Sequence, residues 1–301
     1  MNILLTGATG YIGSQLKEKL LQDESVCLRL FVRNAGKVKE SVGRRVEVYE
    51  GTTFDKDSLL KALKGMDVAY YLIHSMGAKG DFEELDRTSA ENFRDACIKA
   101  RVKRIIYLGG LGQKETASKH LLSRIETGEI LSSQPTRIQT IWFRAGIIIG
   151  AGSASFRIIH SLVRKLPLIV TPRWVHTRTQ PIAVQNVLDY LFLAKDLKIQ
   201  GNLMVDVGSE RMSFKEMLER AARVMGRRRL LIPVPVLSPR LSSYWLILFS
   251  PVSYRIARAL VDGLKSETII QNDNARLYFP KVCPLPYEKA IEAALSEDKA
   301  K

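Results

Sequence analysis

The feature that most constrains the fold of this sequence is a glycine-rich turn between an apolar run and an amphipathic segment. Residues 3–5 are all apolar, which predicts a buried β-strand. The turn TGATGYIG follows at residues 6–13, and the next segment, SQLKEKLL, has the apolar spacing of a helix. A strand, a glycine turn and a helix in this order present backbone N–H groups and a helix amino terminus to phosphate groups. The sequence therefore predicts a dinucleotide site at this turn.

Each glycine of the turn has its own physical task. Gly7 permits the tight turn, Gly10 lets the backbone approach a pyrophosphate, and Gly13 lets the helix pack closely on the strand. We expect the cofactor to contact most of the turn, namely Thr6, Gly7, Thr9, Gly10, Tyr11, Ile12 and Gly13.

The end of the second predicted strand, SVCLRLFVRN, indicates which dinucleotide binds. A carboxylate at this position would accept a hydrogen bond from the ribose 2′-OH of NAD. Here Arg33 and Asn34 occupy the position, with Lys37 close behind. Because a guanidinium can pair with a 2′-phosphate through two parallel hydrogen bonds, the sequence predicts that NADP(H) is preferred over NAD(H).

Apolar strand-like runs alternate with amphipathic helical segments through the first half of the chain. This pattern predicts an α/β fold of the Rossmann type, a doubly wound parallel sheet covered by helices on both faces. Ligands of such sheets bind at the carboxyl ends of the strands, where the strand order reverses. We expect one crevice to collect residues from several strand ends and one helix, namely Gly10, Arg33, His74, Ser75, Gly109, Gly110 and His120.

Several motifs carry a resemblance to a known family: the TGATGYIG turn, GTTFDKDSL, RIIYLGGLG, FRAGIIIG and QPIAVQNVLDYL. The chain resembles the extended or atypical short-chain dehydrogenase/reductases over nearly its whole length. More narrowly, it is similar to the NmrA-like and YbjT-like NAD(P)H-binding branch, which includes epimerase-like proteins. The resemblance implies a Rossmann domain at residues 1–150, to which residues 181–200 return. A smaller substrate domain, residues 151–180 and 201–301, would close over the cofactor, with Phe156, Trp174 and Gln180 as candidates for its pocket lining.

The helix KHLLSRIETG stands where the family carries a Tyr-x-x-x-Lys pair and, before it, a serine. His120 falls on the tyrosine position, Arg124 on the lysine position, and Gly109 and Gly110 where the serine is expected. His120 has the titration range of a general acid or base, whereas Arg124 can only donate hydrogen bonds and hold charge. Three interpretations stay open: a clamp on the nicotinamide ribose, an acid–base pair, or a solvated helix edge.

The net charge of +15 is compatible with an anionic cofactor, an anionic membrane surface or nucleic acid. Basic residues are spread along the chain, with one tight cluster at residues 227–229, and no nucleic-acid-binding module is recognisable. We therefore expect no nucleic-acid partner, since a role as a nucleic-acid regulator would rest on charge alone.

Cysteine and histidine spacing predicts neither a disulfide framework nor a metal site. Cys27, Cys97 and Cys283 are scattered, and His160 and His176 lack partners at metal-ligand spacing. The chain starts directly with a strand-like run rather than a leader segment. We expect a cytoplasmic protein, with a peripheral position on the membrane as an open alternative.

The stretch 241–262 carries an apolar hexapeptide, Tyr244 to Phe249, followed by Ser250 and Pro251. It is too short to span a bilayer, which needs about 20 apolar residues. It can cover the substrate pocket, form an interface with a protein partner, or rest on an anionic membrane surface.

These observations favour an NADP(H)-binding oxidoreductase or epimerase-like enzyme that acts on an unidentified small molecule. The intact cofactor turn supports this hypothesis. The missing tyrosine and lysine support a different one, a non-catalytic NADP(H)-dependent redox sensor or scaffold bound to a larger complex or membrane.

Overall fold

The computed structural model describes residues 1–38, 43–74, 81–234, 254–263 and 266–299. Its strands are β1 (Asn2–Thr6), β2 (Cys27–Val32), β3 (Val46–Glu50), β4 (Val68–Tyr71), β5 (Arg104–Gly110), β6 (Gln139–Ala145), β7 (Ile148–Ile149), β8 (Leu168–Thr171), β9 (Arg178–Thr179), β10 (Ile182–Ala183), β11 (Leu203–Val207), β12 (Met212–Ser213) and β13 (Leu230–Pro233). Its α-helices are α1 (Tyr11–Leu21), α2 (Lys56–Leu63), α3 (Phe82–Lys99), α4 (Lys119–Leu131), α5 (Ala154–Lys165), α6 (Val184–Ala194), α7 (Phe214–Val224), α8 (Tyr254–Gly263), α9 (Asn274–Tyr278) and α10 (Tyr287–Lys299). None of these helices is long and apolar enough to cross a bilayer.

Seven strands form the main sheet, in the order β3-β2-β1-β4-β5-β6-β11. All neighbouring strands in it are parallel. The chain order reverses between β1 and β4, which places the predicted ligand crevice at the carboxyl ends of these strands. The predicted doubly wound Rossmann-type fold is confirmed.

Alternation along the strands divides the apolar side chains between the two faces of the sheet. In β1, Ile3 and Leu5 enter the core on the side of α1 and α6, while Leu4 enters the core beneath α2, α3 and α4.

Local caps fix where the covering helices begin. Asp55, for example, accepts hydrogen bonds from the N–H groups of Asp57 and Ser58 at the start of α2.

A second hydrophobic core lies between α5, α7, α8 and α10. The sequence assigned every residue after 200 to the smaller domain, but β11 pairs with β6 and completes the main sheet. Phe279 likewise packs into a core of that sheet. These two segments therefore belong with the Rossmann layer, and the rest of the predicted domain division stays a prediction.

A buried ion pair joins the last two strands of the sheet. Arg144 on β6 donates to both carboxylate oxygens of Asp206 on β11, at 2.6 and 2.8 Å. Asp206 is fully buried and also accepts from the Gln271 N–H at 2.7 Å. Because the guanidinium and the carboxylate form two parallel hydrogen bonds, the pair neutralises both buried charges and favours one register of β11 against β6.

We expect Asp206→Asn to destabilise the fold by about 3 kcal/mol, because it leaves the Arg144 charge buried without a counter-charge. Urea unfolding followed by tryptophan fluorescence measures the loss. Lys114→Gln, which breaks the exposed pair between Lys114 and Glu129, is the control and should change stability by less than about 1 kcal/mol. A similar effect of the two substitutions would contradict a structural role for the buried pair.

Candidate functional site

The glycine turn between β1 and α1 has the geometry that a diphosphate cradle requires. Gly7 adopts a left-handed φ of +69°, and a Cβ there would lie 2.4 Å from the Leu72 carbonyl oxygen. A Cβ on Gly13 would lie 2.1 Å from the Gly7 carbonyl oxygen, so only glycine lets α1 come this close. Gly10 starts α1 without a capping side chain, which leaves first-turn N–H groups for an anion. These residues fit the pyrophosphate of a dinucleotide.

The other residues of the turn divide into buried and accessible ones. Thr6 is fully buried, and its hydroxyl donates to the Tyr70 carbonyl oxygen at 2.9 Å and accepts from the Leu72 N–H at 3.1 Å. Thr6 therefore ties β1 to β4. Thr9 is exposed, whereas Ile12 is half-buried against the core of the sheet.

Tyr11 connects the turn to the carboxyl-terminal helix, a role that sequence reasoning missed. Its hydroxyl donates to Glu297 Oε2 on α10 at 2.9 Å. Burial, with the Glu297 carboxylate adding to it, raises the pKa of Tyr11 to about 12, so the phenol stays a hydrogen-bond donor. A Cβ on Gly150 or Gly152 would lie 2.3 Å from Tyr11. The spaced glycines of the IIIGAG segment are the sequence signal for this contact.

Arg33 and Asn34 follow β2 at the same edge of the sheet, and both side chains are exposed. Asn34 Oδ1 accepts from the Gly36 N–H at 2.9 Å, so this side chain shapes the turn. The Glu50 carboxylate, which is close to this turn, accepts a hydrogen bond from the Ala35 N–H at 2.8 Å. Arg33 has no ion-pair partner among the described residues, which leaves its guanidinium available to an anion.

A cavity of about 280 Å³ opens between the main sheet and the elements of the second core. The carboxyl ends of β5 and β6 form its floor, and α4, α5, α7 and α8 contribute its walls. Its lining is mostly apolar and includes Ile147, Ile148, Ile158, Phe214, Leu260 and Val261. Such an apolar cavity with a few polar groups is typical of a site for a small organic molecule.

His120 lies in the first turn of α4 and lines the cavity. Its ring meets Phe82 edge to face with centroids 5.0 Å apart, and its buried Nε2 has no hydrogen-bond partner among the described residues. Burial lowers the pKa of His120, the charge of Arg124 lowers it further, and Asp86 partly opposes them. The imidazole is therefore neutral at pH 7 and offers one donor and one acceptor.

Arg124 lies one turn further along α4 on the same wall of the cavity. Its Nη2 donates to the Leu108 carbonyl oxygen of β5 at 3.0 Å, while its buried Nε lacks a partner among the described residues. A Cβ on Gly110 would lie 2.7 Å from Leu121 and 3.8 Å from Arg124 Nε. The structure thus brings four predicted site residues to one cavity: His120, Arg124, Gly109 and Gly110.

His74 lies beyond the end of β4, and its side chain is exposed, which places it outside the core. Desolvation where the imidazole packs against the protein lowers its pKa, and the charges of Arg124 and His120 lower it further. Ser75, the next predicted residue, lies outside the described residues, and its cofactor contact stays a prediction.

Two residues predicted to line the pocket have other roles. Phe156 is 1% exposed and stacks on His160 within the second core, with ring centroids 5.5 Å apart. Gln180 donates to the Ser209 carbonyl oxygen at 2.8 Å. Phe156 therefore belongs to the second core, which is the usual place for such an aromatic residue, and a pocket contact of Gln180 stays a prediction. The side chain of Trp174 lies outside the described residues.

Two polar residues close to α4 serve the fold. Asn92 Nδ2 donates to the Thr53 carbonyl oxygen at 3.0 Å, and Ser123 Oγ donates to Asp86 at 2.9 Å. In the ranges that the structure describes, there is no group of His, Cys, Asp and Glu side chains that could hold a metal ion.

The proximity of His120 and Arg124 predicts a measurable titration. We expect the NMR titration midpoint of His120 to lie below the ordinary histidine value of about 6.5. Arg124→Gln should raise this midpoint part of the way, because it removes the neighbouring charge but leaves the burial. Lys119→Gln removes an exposed charge from the same helix and should change the midpoint much less. Equal midpoints in the parent protein and Arg124→Gln would contradict the arrangement.

A protein-family model matches the first part of the chain. Residues 7–133 match a family model described as NAD(P)H-binding. The matched range contains most of the glycine turn, Arg33 and the helix that carries His120 and Arg124.

Solved structures with the same fold cover nearly the whole chain. Triphenylmethane reductase of Citrobacter sp. is 20% identical, with a TM-score of 0.79 over 98% of this chain and 100% of that one. The same reductase complexed with NADP(H) gives a TM-score of 0.77 at 19% identity, with the same coverage. UDP-glucose 4-epimerase of Thermotoga maritima, solved with UDP-glucose, is 13% identical, with a TM-score of 0.76 over 100% and 99% of the two chains. A nucleoside-diphosphate-sugar epimerase of Staphylococcus aureus is 17% identical, with a TM-score of 0.76 over 97% and 100%.

At these identities the structural likeness concerns the fold. Residues 7–133 are thus similar to an NAD(P)H-binding domain, and the whole chain has the fold of these epimerases and this reductase, as the resemblance to atypical short-chain dehydrogenase/reductases predicts.

Proposed function

We propose that the chain is an NADP(H)-dependent oxidoreductase or epimerase-like enzyme acting on a small, largely apolar molecule. The observation that carries this proposal is the cavity at the ends of β5 and β6. Two buried polar atoms without partners among the described residues, His120 Nε2 and Arg124 Nε, belong to residues of its wall. Buried polar atoms of this kind cost free energy unless a ligand satisfies them.

The lining indicates the chemical class of the substrate. Aliphatic walls favour an apolar body, and the unpaired guanidinium N–H favours an oxygen acceptor such as a carbonyl or hydroxyl group. A nicotinamide dinucleotide, when bound, supplies or accepts a hydride. The residues of this chain would hold the reacting oxygen and the ribose in place, with Arg124 as the fixed donor and neutral His120 as its partner.

The lowered pKa of His120 separates the interpretations of this pair. A general acid must carry the proton that it gives, and His120 carries little positive charge at pH 7. A clamp needs only hydrogen bonds, which neutral His120 and charged Arg124 both provide. We therefore favour the clamp and keep acid–base catalysis by His120 as the alternative for the same enzyme.

Kinetics with a panel of small carbonyl compounds distinguish the two roles. If the pair is a clamp, Arg124→Gln and His120→Asn should raise KM for the cofactor or the substrate about tenfold. If His120 is the acid, His120→Asn should instead lower kcat about a hundredfold, and kcat of the parent should rise as the pH falls toward the His120 pKa. Lys119→Gln is the matched control on the same helix. Unchanged kcat and KM in both site variants would show that the pair contributes neither to binding nor to turnover.

The preference for NADP(H) rests on Arg33, which is exposed and has no ion-pair partner among the described residues. A structural neighbour, the Citrobacter reductase, is complexed with NADP(H), which supports this proposal at the level of the fold.

We expect NADPH to bind about tenfold more tightly than NADH in calorimetry, and Arg33→Ala to remove most of this difference, because the guanidinium pairs with the 2′-phosphate. Arg44→Ala removes an exposed charge ahead of β3, at the opposite end of that strand, and should keep the preference. Equal affinities of the parent for NADPH and NADH would refute the assignment.

A non-catalytic redox sensor or scaffold is the second candidate function. The replacement of the family's tyrosine and lysine by His120 and Arg124 favours it. Tight NADPH binding without turnover on any carbonyl or nucleotide-sugar substrate would support this candidate. A cytoplasmic location, and a role for 241–262 in binding a protein or a membrane, stay predictions; Tyr244–Phe249 lies outside the described residues.

A further inference from the structure

Two long stretches of the sequence contain no acidic residue. Residues 130–188 hold seven lysines and arginines and no Asp or Glu, and residues 220–261 hold eight arginines and no Asp or Glu. Elsewhere in the chain acidic and basic residues are interspersed. A surface built from both stretches would carry positive charge without local compensation.

The structure joins these stretches at a small parallel ribbon, β8 paired with β13. The helices that precede the two strands, α5 and α7, pack against each other in the second core. Arg229 Nε donates to the Val163 carbonyl oxygen at 2.6 Å and fixes the entry to β13 beside the end of α5. The packing of α5 on α7 and this hydrogen bond therefore fix the position of the ribbon.

One side of this ribbon is aliphatic, with one exposed pair of side chains and one half-buried pair. Register pairs Leu168 with Leu230 and Val170 with Ile232, and alternation turns these four side chains to the same side. We name them the ribbon face. Leu168 is 42% exposed and Leu230 is 61% exposed, whereas Ile169 on the opposite side is 1% exposed in the second core. Adjacent exposed aliphatic side chains of this kind mark a binding surface.

Basic side chains lie at the edge of the ribbon face where both strands begin. Arg164 and Lys165 end α5, and Arg227 and Arg228 precede β13, and all four are exposed. None of them has a carboxylate partner within the described ranges.

We propose that the ribbon face and its basic edge dock on the surface of an anionic lipid bilayer. Four aliphatic side chains are too few for a stable protein interface, which buries about 800 Å² on each partner. They suffice to enter the headgroup region when basic residues next to them attract anionic lipid. Nucleic acid would use the arginines but would leave the aliphatic pairs in water.

Vesicle flotation with the full chain tests this proposal. We expect the protein to float with vesicles of phosphatidylcholine and phosphatidylglycerol and to stay in the lower fractions with phosphatidylcholine alone. Arg227→Gln combined with Arg228→Gln should weaken vesicle binding about tenfold or more, because each basic residue near an anionic surface strengthens binding. Leu168→Ser combined with Leu230→Ser should weaken it to a similar extent. Added salt should weaken binding of the parent.

Matched controls distinguish an effect of the ribbon face from an effect of net charge or of misfolding. Lys61→Gln combined with Lys64→Gln removes two exposed charges from α2 and should keep most of the binding. Leu277→Ser removes a leucine that is 68% exposed on α9 and should also keep it. Unchanged thermal unfolding and NADPH binding verify that each variant is folded.

Two results would overturn the proposal. One is a parent protein that stays in the lower fractions with anionic vesicles, or ribbon variants that float as well as the parent. The other is a concentration-dependent dimer that Leu168→Ser with Leu230→Ser converts to a monomer, because the face would then cover a second copy. Neither result bears on the cofactor assignment, which the NADPH calorimetry tests separately.

Discussion

The close approach of α1 to the ends of β1 and β4 is the constraint on which the rest of the structure depends. Gly7 and Gly13 remove the Cβ atoms that would strike the Leu72 and Gly7 carbonyl oxygens. Thr6 then bonds to backbone atoms of β4 through its hydroxyl, which fixes the strand ends against the turn. The N–H groups at the start of α1 and the strand edge that faces the cavity thus form one rigid unit, and a side chain at Gly13 would separate them.

A hydrogen bond from Tyr11 links this rigid unit to the second core. Tyr11 begins α1, and Glu297, its hydrogen-bond partner, lies on α10, which packs in that core. Glu297 also accepts from the Ala151 N–H at 3.3 Å, so one carboxylate holds both the start of α1 and the loop before α5. Because α5 contributes a wall of the cavity, the same contact positions the glycine turn and one side of the cavity.

The parts of the molecule that depend on local sequence could be predicted, and those that depend on distant pairing could not. The turn at residues 6–13 and the parallel sheet follow from patterns a few residues long. Strand β11 joins the main sheet by pairing with β6, where Asp206 meets Arg144, 62 residues earlier, and no local sequence pattern indicates that partner. Phe156 was a candidate for either the pocket or the core, and its burial depends on which side of α5 meets the second core.

Glycines of β5 and α4 are coupled by packing against one tryptophan. A Cβ on Gly109 would lie 2.6 Å from Trp142 Nε1, and a Cβ on Gly128 would lie 2.2 Å from the same indole. Trp142 thus occupies the space between β5 and α4, and a serine at Gly109 would displace it. Arg124 reaches over Gly110 to the Leu108 carbonyl oxygen and takes the position beside the strand end. The glycines, Trp142 and Arg124 therefore form one packed arrangement, which holds the Arg124 guanidinium beside the strand end at the cavity.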